Sequence, residues 1–77
     1  MILDLTKLRH DEEGVIAEFD GGSGFSMRME KMGIRTGKRI KKISSHFWGG
    51  PQTIEIDKAR FAIGHGMAKK VLVEVDR

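Results

Sequence analysis

The chain has no cysteine, no tyrosine, one proline and one tryptophan among its 77 residues. Without cysteine it has no disulfide framework, no thiolate nucleophile and no thiolate metal site, a composition that suits a reducing compartment. No apolar run approaches the length needed to span a bilayer. The opening segment, Met1–Glu13, turns acidic too early for a secretory signal. The expectation is a soluble cytoplasmic protein with no direct membrane insertion. Low-complexity linkers and internal repeats are also missing, so residues 1–77 read as one domain. A chain of this length buries only about 60% of the surface its unfolded form exposes, so it folds with a small margin.

Catalytic motifs are missing too. Gly33-Ile34-Arg35-Thr36-Gly37-Lys38 has the outline of a phosphate loop. A P-loop needs four residues between its glycines and Ser or Thr after the lysine. Here three intervene and Arg39 follows. The three histidines, His10, His46 and His65, are scattered. His10 with Asp11, Glu12 and Glu13 could hold a cation, but reads as a solvated acidic turn. With no Ser–His–Asp arrangement and no protected carboxylate pair, the expectation is a non-enzyme without catalytic residues, cofactor or metal site.

What the chain does have is segregated charge. Residues 1–20 carry six acids and two bases, whereas residues 21–42 carry seven bases and one acid. Such a surface either steers the domain toward an acidic partner or is an ordinary solvated face.

The apolar pattern favours short strands. Leu3, Leu5 and Leu8 suggest a short strand and turn covering one end of the core. Val15–Asp20 alternates, placing Val15, Ala17 and Phe19 on the inner face, with Ile16 breaking the polar one. Gly21-Gly22 ends this strand, and Ser23 is a candidate N-cap. Phe25, Met29 and Met32 recur at i, i+4 and i+7, predicting one apolar helix face over about Gly24–Met32. Gly33 suits the left-handed position after that helix. A helix this short needs packing to persist. Lys38–Ser45 reads as a strand whose oddly spaced Ile40 and Ile43 imply a bulge or a change of face. His46–Pro51 is a loop. Thr53–Asp57 points Ile54 and Ile56 inward, Arg60–Gly64 is a short strand, and Gly64–Ala68 is a turn or a single helical turn. Lys69–Asp76 points Val71, Val73 and Val75 inward. The fold expected is mainly β: a small barrel of about five strands, with one short α-helix inserted after the first long strand.

The order of these pieces resembles the FeoA family. The matching residues are Leu5 and Leu8, Gly14-Val15-Ile16, Gly21-Gly22, Arg28-Met29, Met32-Gly33-Ile34 and Gly37. They continue with Gly49-Gly50-Pro51, Ile54-Glu55-Ile56, Ala62-Ile63, Ala68 and Val71-Leu72-Val73. Three positions depart from the pattern. Lys42 replaces an apolar strand residue, Phe47 stands where proline is frequent, and Gly64-His65-Gly66 replaces a more charged segment. The resemblance implies an SH3-like barrel and an accessory role in ferrous-iron uptake beside FeoB, a membrane iron transporter with a cytosolic GTPase domain. It does not require a metal site in this chain. The same domain also ends iron-dependent repressors of the diphtheria-toxin-repressor type, but the winged-helix DNA reader that precedes it there is missing from this sequence.

A partner-binding surface is therefore sought among Met27, Arg28, Arg35, Lys38, Lys41, Phe47 and Trp48. Met27 sits about 200° around the helix from Phe25, away from the core stripe, where a soft thioether suits a partner. Arg35, Lys38 and Lys41 belong to the densest run of charge, which could equally be a solvated strand face. Phe47 and Trp48 either anchor an interface or lid the core. Three alternatives stand beside docking on FeoB. One is a nucleic-acid-binding small barrel, disfavoured because no aromatics interleave with the bases. Another is a stand-alone relative of the repressor domain. The third is a GTPase activator using Arg28 or Arg35 as an arginine finger. Unpaired strand edges could also give weak self-association.

Overall fold

Thr53–Asp57 alternates most cleanly, and its strand, β4 (Gln52–Ile56), buries Ile54 and Ile56 on one face. The computed structural model describes residues 1–45 and 49–77. Its other strands are β1 (Ile2–Asp4), β2 (Glu13–Phe19), β3 (Arg39–Ser45), β5 (Ala59–Ile63) and β6 (Val71–Glu74). A helix α1 (Gly22–Lys31), a single helical turn α2 (His65–Ala68) and a 3-10 turn at Leu5–Lys7 complete the fold. All strand pairs are antiparallel, in the order β1-β6-β2-β3-β4-β5. The segment before the acidic turn is the short strand and turn expected there, and with it the sheet has six strands against an expected count of about five. The sheet curls without closing, leaving β1 and β5 as its edges.

The inner face gathers Leu5, Leu8, Ile16, Ile40, Ile54, Ile56, Ile63 and the three C-terminal valines into one core. Burying each such aliphatic side chain is worth about 1.5–3 kcal/mol. Val71, Val73 and Val75 point inward as their alternation predicts. β2 has the opposite phase to the one predicted. Ile16 is buried and Ala17 exposed. The register with β6 runs Ile16↔Val73, then Glu18↔Leu72 and Phe19↔Val71, so Ala17 is the extra residue of a bulge. The bulge turns Phe19 back onto the side that Ile16 faces. β3 carries the bulge its isoleucine spacing implies, between Lys42 and Ser44.

Gly14 is fixed by lack of space. A Cβ there would lie 2.6 Å from the Glu74 carbonyl oxygen and 2.6 Å from Val73 Cγ1. β2 and β6 approach closely at this point of their antiparallel pairing.

α1 begins earlier than expected. Its N-cap is Gly21, with no side-chain cap, and Ser23 lies inside the first turn instead of capping it. Its other end matches the prediction. Gly33 adopts φ +94°, open to glycine at no steric cost. The Gly33 N–H donates to Glu30 O at 3.0 Å and the Ile34 N–H to Met29 O at 2.9 Å, a Schellman closure. Met29 and Ile34 are both fully buried beneath it. Met32, expected in the core stripe, is instead 39% exposed, because Ile34 fills the place below the turn. The helix docks on β2 through Phe25, whose ring meets Phe19 edge-on at 6.0 Å and 77°.

Lys42 is the one buried lysine, 1% exposed. Its ammonium donates to Leu5 O at 2.9 Å and Leu8 O at 3.2 Å, the carbonyls of the first residue and the C-cap of the 3-10 turn. Its backbone accepts from Asp11 N and donates to Glu12 O. The N-terminal segment is thereby wrapped around this side chain. Burial lowers the Lys42 pKa below its ordinary value, and the charges of Asp4 and Glu12 oppose that shift.

Candidate partner-docking surface

The basic run after α1 lies on the outer face of the sheet, where strand register decides what each charge meets. Directly opposite residues there alternate in sign: Glu13↔Lys41, Lys41↔Glu55 and Glu55↔Arg60. Lys38 Nζ reaches Asp57 Oδ2 at 2.6 Å, Arg39 stands 3.9 Å from Glu13, and Lys41 stands 4.0 Å from Asp11. Each exposed pair contributes only about 0.2–1 kcal/mol. Together they neutralise this face. Two of the sequence-derived candidates, Lys38 and Lys41, are therefore tied to neighbouring carboxylates.

The cations on and just after α1 are arranged differently. Arg28, Lys31 and Arg35 are exposed, and among the described residues none forms an ion pair. The Arg35 Nε donates a long bond, 3.5 Å, to Glu30 O near the helix C-terminus. Part of the role of these bases is local: cations in the last helical turn offset its partial negative charge, worth about 0.3–1 kcal/mol. Met27 is 57% exposed, on the side opposite buried Met29. Met27, Glu30, Lys31 and Arg35 line a shallow open groove. Lys31 is the member of this set that the sequence reading missed; its signal was the i, i+4 spacing from Met27.

The structure thus brings Met27, Arg28 and Arg35 to one surface and leaves Lys38 and Lys41 on another. Phe47 and Trp48 lie outside the described residues. His10 Nε2 stands 3.4 Å from Asp11 Oδ2, both exposed. Among the described residues no three His, Asp or Glu side chains are grouped as a metal site. Among the described residues no helix is long and apolar enough to cross a membrane.

These features define a small SH3-like, mainly β domain whose single full helix carries a basic, methionine-bearing face. A crystal structure of an iron uptake regulatory protein, FeoA, superposes with a TM-score of 0.85 at 30% identity, covering 96% of each chain. A manganese-dependent transcriptional repressor matches with a TM-score of 0.85 at 20% identity. The match covers 97% of this chain but 42% of the repressor, and at that identity it establishes the fold alone. A Methanocaldococcus jannaschii protein named for Fe(2+) transport (transport protein A) is 35% identical over 66 residues, covering 86% of this chain and 78% of that protein. The FeoA domain profile matches residues 3–75, and the chain belongs to this family.

Proposed function

We propose that the protein is a small cytosolic accessory of ferrous-iron uptake, a binding module that docks on a FeoB-type membrane iron transporter and modulates it. Family membership and the relative named for Fe(2+) transport support the iron context. The observation that carries the docking reading is the basic α1 face, where exposed cations without carboxylate partners surround an exposed methionine. Met27, Arg28 and Arg35 form the centre of the contact. Phe47 and Trp48 remain candidates from the sequence alone, and Lys38 and Lys41, paired with carboxylates on the sheet face, stand outside this centre. The neutralised outer sheet face weighs against a nucleic-acid reading, which needs cations free to displace counterions from phosphates.

Co-precipitation with the cytosolic domain of the cognate transporter tests this reading. Retention that is lost in Arg28→Glu or Trp48→Ala supports it. Failure of the wild-type protein to be retained at low salt removes it.

A further inference from the structure

The groove beside α1 is specific enough to describe its occupant, granted the docking reading above. Its volume is about 270 Å³, below the roughly 300–1,000 Å³ of small-molecule sites. It has room for one large side chain. It is lined by Met27, Glu30, Lys31 and Arg35. Long basic side chains lay apolar stems along such a groove and hold their charged heads at its rim. The lining thus holds two cations and one carboxylate beside the Met27 thioether, a groove of net positive charge with apolar surface in it.

Two partner classes fit less well. An anionic lipid surface gains about 1 kcal/mol per nearby cation and is usually held by clusters of four to eight. This face offers three cations, Arg28, Lys31 and Arg35, offset by Glu30. A phosphate backbone would meet the same carboxylate. A mixed segment can avoid that carboxylate: it sets its acids against Arg28, Lys31 and Arg35 and turns an uncharged apolar side chain toward Met27 and Glu30.

We propose that the groove formed by Met27, Glu30, Lys31 and Arg35 receives one leucine- or phenylalanine-sized side chain from an acidic amphipathic segment of the partner protein, with flanking carboxylates pairing to Arg28, Lys31 and Arg35. The sheet-face cations Lys38 and Lys41 take no part.

The test is an amide-resolved NMR titration of the whole protein with a synthetic Glu/Leu helical peptide of about 18 residues, or about five turns. Matched peptides carry Leu→Ala or Glu→Lys, and phosphatidylglycerol vesicles form a separate arm. The expected result is chemical-shift change confined to residues 25–36, with affinity falling severalfold as salt rises from about 50 to 300 mM. Met27→Glu and Lys31→Glu each weaken binding about tenfold, equivalent to about 1.4 kcal/mol. Lys41→Glu leaves it within about twofold of wild type, and both matched peptides bind poorly. The proposal falls if the shifts map to the β3–β4 face, or if Lys41→Glu weakens binding as much as Lys31→Glu. It also falls if the Leu→Ala peptide binds equally well, or if the vesicles shift residues 25–36 and the Glu/Leu peptide does not. A transporter domain that retains the protein while the peptide fails to bind would end this inference and leave the docking reading standing.

Discussion

Replacing Lys42 by methionine keeps an unbranched side chain one atom shorter, with sulfur at the δ position, and removes the charged end. The ammonium is buried, and both its hydrogen bonds go to carbonyls, Leu5 O and Leu8 O. Removing it costs about 1–3 kcal/mol for acceptors left without a donor. Leu5 O is the better protected, since it also accepts from Leu8 N at 3.4 Å. Against that cost stands the release of a buried charge, whose penalty in proteins is several kcal/mol before compensation. The lowered Lys42 pKa indicates that burial outweighs the favourable fields of Asp4 and Glu12. The two effects nearly cancel, so Lys42→Met changes stability by no more than about 1 kcal/mol near pH 7. Lys42→Ala also removes three buried methylenes at about 0.8 kcal/mol each and leaves a cavity, costing about 2–4 kcal/mol.

The pH dependence of Lys42 has a definite sign. Its folded pKa lies below the ordinary 10.5, so between the two values the unfolded chain binds more protons. Wild-type stability therefore rises with pH across that window, while Lys42→Met lacks this component. Urea unfolding of both proteins at about pH 7 and about pH 10 should show the wild type gaining on the methionine variant at the higher pH. Equal losses for Met and Ala at neutral pH, or a wild-type-to-Met difference that ignores pH, would refute the reasoning.

Other substitutions probe separate parts of the fold. Gly14→Ala forces a methyl group against the Glu74 carbonyl and Val73. It should cost about 1–3 kcal/mol, read as a fall in Tm of roughly 4–8 °C per kcal/mol. Asp57 and Lys58 form the two-residue β4–β5 turn with φ of 52° and 70°. Lys58→Gly should raise stability by about 0.5–1 kcal/mol by relieving the left-handed strain, net of glycine's own entropy; a lower denaturation midpoint would contradict this. Glu12 accepts from Arg77 Nε at 2.8 Å, and this bond, with the Arg9 N–H, holds its pKa below 4.5. Its contribution is complete above pH 4.5 and disappears as pH falls through the lower folded value, so acid titration of Glu12→Gln should show a shallower loss than wild type.

Both the fold and the candidate surface were legible where local rules govern. The valines of β6 and the isoleucines of β4 alternate with the strand period, and the burial of each follows that pattern. The helical periodicity that buries Met29 puts Met27 on the far side in solvent, so its place in the candidate surface follows from angle alone. β2 was misread because its bulge at Ala17 changes phase within the strand, and a bulge is fixed by the partner strand. The run of bases looks uniform in sequence, and only the folded sheet sets Lys38 and Lys41 beside carboxylates.

The sequence by itself determined the inventory of elements, the glycine stop at Gly33 and the side of the helix left to solvent. Each depends on neighbours within a few residues, through backbone sterics and side-chain period. The tertiary structure alone decided the buried seat of Lys42, whose acceptors lie more than thirty residues upstream. It also decided which cations are paired, because the folded sheet brings Asp11, Glu13, Glu55 and Asp57 beside Lys38, Arg39 and Lys41, whereas among the described residues Arg28, Lys31 and Arg35 form no ion pair. Coulomb attraction depends on distance in space, and only the folded sheet sets that distance.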